Sequence, residues 1–206
     1  DIYRDRRREY CEMLAMHFYK GEVFIKAAKY SETAGDKLAG FYANEEALEY
    51  YNQAIEALNK QAESDEFGIA DRRRRVGDVA VKRITLFIHT GKIDDAEKDA
   101  SYISDLSREI NDRFLESTAL NSFGLIARLR GDYDKAIEST EKALEIREAM
   151  GRKDSAVGCL NGLGVIYWSK GDLEKSREYF ERIIPLSEQT GNKRLVADAY
   201  NNISLI

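Results

Sequence analysis

Along almost the whole chain, apolar residues recur every three or four positions between short polar or glycine-marked breaks, the rhythm of amphipathic helices. The pattern predicts helices over about 4–19, 22–40 and 44–60, then pairs at about 67–90 with 92–108, 111–130 with 133–149, and 152–170 with 173–189. A last helix starts near Asn192 and runs off the end of the sequence. In the first helix Met13, Leu14 and Phe18 are placed toward a core, and Asn44 stands as N-cap of the third, with Glu45 and Glu46 in its first turn. A single proline interrupts the chain; at Pro185 it removes a hydrogen bond and crowds the carbonyl of Glu181, which predicts a kink or an early end. The fold class is therefore all-α. The polar stretch QAESDEFG divides residues 1–64, an N-terminal helical region with one degenerate repeat-like unit, from residues 65–206.

Over 65–206 the helices repeat. Gly91, Gly131 and Gly171 are forty residues apart, and Ala96, Ala136 and Ser176 keep the same interval as small residues. Ile93, Tyr133 and Leu173 repeat as large apolar residues, and Asn111, Gly151 and Gly191 mark a second break. The array comprises three forty-residue units and a truncated fourth. The repeating glycines suit the left-handed backbone that ends a helix, and Asp132 and Asp172 can cap the helices that follow. Small residues let paired helices approach, and Tyr133, Leu144 and Phe180 fill the space between them.

Composition narrows the function classes. Formal charge is −5 with pI near 5.3, which argues against general affinity for nucleic acid. No apolar run approaches a membrane span. Cys11 and Cys159 fall in apolar helical stretches and read as reduced, buried and structural, which fits a cytoplasmic setting. The sequence opens at Asp1 without a methionine and stops inside a helical pattern, the reading expected of a piece of something longer.

The segments NSFGLIARLRGDYDKAIESTEKAL and NGLGVIYWSKGDLEKSREYFERII resemble tetratricopeptide repeats, with Gly124 and Gly164 at the helix-contact glycine, seven residues before the turn glycine. The resemblance covers residues 112–190 and extends into the unit from Asn192. It implies a right-handed superhelical solenoid of antiparallel helix pairs. The unit near Arg75 departs from the pattern: Ile84 stands at the contact position and Gly77 lies a heptad earlier, which predicts a longer or differently packed first helix. The forty-residue length is similar to the long-helix subfamily of kinesin light chains and bacterial peptide-sensing regulators. AGDKLAGFYANEEALEYYNQAIEAL, preceded by LAMHFYKG, resembles the helical region after the ATPase module of bacterial signalling ATPases and adenylate cyclases. That implies an upstream ATPase or cyclase module in the same parent chain.

In the repeat family the first helix of each unit lines a concave groove. Carried onto this chain, Asn121, Asn161 and Asn201 project into it as an amide ladder suited to an extended peptide backbone, or else tie neighbouring helices together. The same face carries Leu125 and Arg128, Val165 and Trp168, and Asp198. Trp168 offers a large amphipathic contact or packs on the adjacent repeat, and Arg128 pairs with an acidic partner or is a solvated edge. Thr85, Ile88 and His89 continue the surface into the preceding unit. The lysine–asparagine clamp with which some family members grip a C-terminal carboxylate is not reproduced, and that ligand class is not expected.

The run Arg72–Arg75 points around all sides of its helix and reads as a solvated end with local salt bridges, and Arg6–Arg8 stand where an upstream domain would meet them. His17 and His89 lie far apart with no ligand spacing, so no metal is expected. The sequence contains no phosphate-binding glycine loop, nucleophile motif or zinc cluster, and no cofactor or catalysis is expected. The leading reading is an interaction scaffold that binds a protein or peptide partner, with no nucleic acid and no membrane involved. The competing reading is a sensor arm of a larger signalling ATPase or cyclase that binds a small effector or signal peptide. A third is a purely structural spacer or oligomerisation surface.

Overall fold

The computed structural model describes residues 9–61, 68–189 and 191–206. Among them it has ten helices and no strand: α1 (Cys11–Lys20), α2 (Phe24–Gly40), α3 (Asn44–Lys60), α4 (Ile69–His89), α5 (Ile93–Glu109), α6 (Arg113–Leu129), α7 (Tyr133–Ala149), α8 (Lys153–Lys170), α9 (Leu173–Gln189) and α10 (Lys193–Ser204). The chain divides into two compact units, Asp1–Asn111 with α1–α5 and Asp112–Ile206 with α6–α10. Within each, successive helices fold back on one another across short turns. The expected joint QAESDEFG spans 61–68, and its residues 62–67 lie outside the described residues, as do the start of the first predicted helix and Arg6–Arg8.

The turns work as their residues suggest. Gly91, Gly131 and Gly171 adopt φ of 73°, 80° and 88°, where a Cβ would be strained. Asp132 and Asp172 accept from the backbone N–H groups of Lys135 and Lys175 at 3.2 and 3.1 Å. Asp112 caps α6 in the same way, accepting from Phe114 at 2.9 Å and Leu115 at 3.1 Å.

Helix pairing rests on a small residue opposed by a large one. A Cβ on Gly164 would stand 2.6 Å from the Phe180 ring, one on Gly35 2.4 Å from the Tyr51 ring, and one on Gly124 2.1 Å from the Thr140 hydroxyl. In each pair the larger partner follows sixteen residues after the glycine. In the unit that carries Ile84 at this position, the residue sixteen later is Ala100, and both are buried. Bulk and space have exchanged helices, which is how the array accommodates an isoleucine at a contact position. Helix α4 is also the longest described, at 21 residues against 17 for α5, α6 and α7. The core of the second unit runs through Leu144, Val157, Cys159, Leu160, Leu163, Tyr167, Phe180 and Ile183. Cys11 and Cys159 are both free and buried.

Four local expectations are corrected. Asn44 is the first helical residue of α3 and not its cap; Ala43 holds the cap position and offers no side-chain acceptor. Met13 is 57% exposed, because α1 buries the stripe of Cys11 and Ala15 instead. Of the kink or early end expected at Pro185, the early end is absent: α9 continues through it to Gln189, with Phe180, Ile183 and Ser187 buried along it. Arg72 is not solvated: it is 8% exposed and donates to the Gln61 carbonyl. Its neighbours do form salt bridges, Arg73 with Glu109 and Arg74 with Asp71, both at 3.1 Å.

One buried charge is poorly matched. Asp99 on α5 is 5% exposed and receives Arg83 Nη2 at 2.8 Å on one oxygen only. Its second oxygen and Arg83 Nε are buried without hydrogen-bond partners. Burial pushes the Asp99 carboxyl up to about 6 against the pull of Arg83.

Candidate partner-binding face

The first helices of the second unit's repeats, α6, α8 and α10, carry the candidate residues except Thr85, Ile88 and His89, which lie on α4 in the first unit. Asn121 is half-buried, and its Oδ1 accepts from Cys159 Sγ of the next repeat at 3.4 Å. Asn161 is exposed, and its Oδ1 accepts from Asn202 Nδ2 at 3.1 Å. One oxygen of each amide thus ties neighbouring first helices, and no bond through the amide N–H donors of Asn121 or Asn161 is seen among the described residues. Asn201 is exposed, with its backbone carbonyl accepting from Ser204 at 2.7 Å.

Leu125 and Val165 are half-buried, Val165 packing on the core of the unit. Arg128 is half-buried with no ion pair among the described residues. Trp168 is 54% exposed, so about half of the indole remains available for contact. Asp198 is exposed, its carboxylate 3.9 Å from Arg194 one turn earlier. Exposed charges in this geometry contribute little to stability, which leaves Asp198 available to a ligand.

A cleft of about 450 Å³ opens between α8 and α10, over Val157, Leu195 and Ile183. It brings together Asn161, Asp198 and Asn201, and adds Asp154, Gly158 and Asn202. Asn121, Leu125, Arg128, Val165 and Trp168 do not line it; they lie on α6 and on the later turns of α8. Asn202 was missed because it is one residue past the predicted ladder, although the doubled amide in YNN was a signal that the register could turn by one position. Gly158 was missed as well. A Cβ there would lie 3.8 Å from Arg147 Nη1, so this bare point on α8 covers a buried cation. Arg147 donates to Ser117 Oγ at 3.1 Å and to the Ser155 carbonyl at 2.8 Å. With Arg152 it faces the Phe114 ring, their guanidinium carbons 5.8 and 5.1 Å from its centroid. Burial raises the Cys159 thiol against the opposing pull of Arg147, so it is a neutral donor to Asn121.

Among the described residues no group of three His, Cys, Asp or Glu is arranged to hold a metal, and no helix is long and apolar enough to cross a membrane.

Antiparallel helix pairs closed by a glycine opposite a large residue, with aspartate caps at a fixed interval, define the class of helical-repeat proteins. Residues 117–150 and 157–190 match the tetratricopeptide repeat model. Over those two segments, each of 34 residues and set forty apart with six residues between them, the chain carries tetratricopeptide repeats. No curated protein sequence matches it significantly. Among solved structures, BtubC (BKLC) from P. vanneervenii is similar over 97% of this chain and 85% of that one, at 16% identity and a TM-score of 0.67. Aspartyl phosphate phosphatase F from Bacillus subtilis is similar over 99% of this chain at 16% identity and a TM-score of 0.71; the match spans 58% of that protein. A Rap protein complexed with competence and sporulation factor is similar over 90% of this chain and 55% of its own, at 17% identity and a TM-score of 0.58. These likenesses share the fold.

Proposed function

We propose that the face formed by α6, α8 and α10 holds an extended segment of a protein partner, and that the chain acts as an interaction scaffold. The observation that carries this reading is Trp168, half exposed on the helix that also presents Asn161. An indole left in water costs hydrophobic free energy that a partner's apolar group would recover. Leu125 and Val165 extend the apolar footing, and the free amide donors of Asn121 and Asn161 can bond backbone carbonyls. The Rap complex, with its factor bound, supports the fold as a holder of partners.

The test is affinity capture from source-cell lysate with the wild-type chain and with Trp168→Ala combined with Asn161→Ala. Trp168 is half exposed and outside the unit's core, so the variant should keep its helicity and most of its melting temperature. Capture of a specific protein should fall at least about tenfold, the loss of one hot-spot side chain. Capture by both chains alike would remove this face from consideration.

A further inference from the structure

The first unit contains a cleft of its own, of about 580 Å³, between α2, α3 and α4. Its walls include Tyr42, Asn44, Tyr51, Thr85 and His89, a volume and a mixture of rings and isolated polar groups typical of sites for small ligands. Tyr42 is the unusual member. It is 88% exposed and adopts φ of 60°, beside a Phe41 that is itself 74% exposed. At the turns after α4, α6 and α8 the left-handed residue is Gly91, Gly131 or Gly171, and after α1 and α5 it is Glu22 or Asn111, neither of them aromatic. A bulky aromatic residue in that conformation is strained, and its exposed ring recovers nothing by packing. A tyrosine kept where glycine fits better, with its ring on the wall of a cleft, is explained by what the ring binds.

We propose that this cleft binds a neutral planar aromatic group, stacked on Tyr42 and hydrogen-bonded at its edge by Asn44 and His89. Neutrality follows from the charges around Lys82, which also lines the cleft. Its ammonium is 2.8 Å from Glu32 Oε1 and from both oxygens of Asp36, so its charge is already compensated. Asp36 also accepts the Tyr51 hydroxyl at 2.8 Å, and burial with that bond raises the Tyr51 phenol, which therefore keeps its proton. Glu32 also lies 3.8 Å from Arg75 Nη2, so two cations face the two carboxylates, and neither an anion nor a cation finds an unmatched opposite charge among these groups. The site is separate from the face proposed above.

The test uses the whole chain and three probes: N-acetyltryptophanamide, its anionic relative N-acetyltryptophan, and cationic tryptamine. The neutral probe should shift the His89 ring resonances saturably in NMR titration, and bind at least about fivefold more tightly than either charged probe. Tyr42→Gly should weaken it at least tenfold while leaving the melting temperature unchanged or higher, because glycine accepts the turn's backbone. His89→Ala, which leaves the turn intact, should weaken it as well. His89 resonances that move with none of the probes would overturn the proposal. So would equal binding of charged and neutral probes, a Tyr42→Gly chain that binds as before, or one that melts lower.

Discussion

Gly124→Val should destabilise the chain by about 3 kcal/mol, because its first added carbon already meets the buried Thr140 hydroxyl at 2.1 Å and the Ala136 carbonyl at 3.1 Å. The hydroxyl cannot simply turn away. It donates to that same carbonyl at 2.8 Å, so the intruding methyl groups must part α6 from α7 or break a buried hydrogen bond. The control is Gly158→Ala on α8, where the added carbon would meet Arg147 Nη1 at 3.8 Å, ordinary van der Waals contact. There a side chain fits, and relief of the helical glycine should stabilise by about 0.5–1 kcal/mol. Urea unfolding of the two variants gives the comparison. Equal effects would mean that the glycines do not set how closely the helices approach.

Asp99 should make the protein less stable as pH rises through 6. Its folded value of about 6 lies above the ordinary 3.8, so the folded state binds the proton more tightly than the unfolded chain does. The stabilising contribution of the protonated form is fully present below 3.8 and is lost as pH rises through the folded value. Other carboxylates act in the opposite sense, Glu12 and Asp95 being held low by Lys37 and Lys98. The effect of Asp99 must therefore be read as the difference between wild type and Asp99→Asn. Between pH 4.5 and 7.5 the wild type should lose about 2 kcal/mol relative to the variant. A gap that moves the other way would mean that Arg83 holds the carboxylate charged.

The repeat was legible in the sequence because its constraints are local and recur. A left-handed turn wants glycine, the next helix wants an aspartate cap, and a close seam wants a small residue at a fixed interval. Ile84 marked a departure correctly, but only the pairing across sixteen residues shows that Ala100 makes the room. Helix ends were harder to read. Asn44 has the chemistry of a cap, yet the chain entering α3 places Ala43 there, and α9 does not end at Pro185. On the candidate face, the resemblance to tetratricopeptide repeats assigned Asn121, Asn161 and Asn201 to one side of their helices. It could not reveal that two of them bond to Cys159 and Asn202, since those partners lie 38 and 41 residues away and depend on the relative rotation of separate helices. Arg72 failed as a solvated residue for the same reason, its acceptor being the end of another helix.

The most direct test of the partner-binding face is site-specific photo-crosslinking. A photoreactive phenylalanine analogue is placed in turn at Asn161, at Trp168 and, as a control, at exposed Glu145 on α7. The two positions on α8 should crosslink one protein, with the adducts mapping to a single short segment of it, while position 145 should give no such adduct. Adducts from position 145 alone, or the same adducts from all three positions, would contradict the assignment.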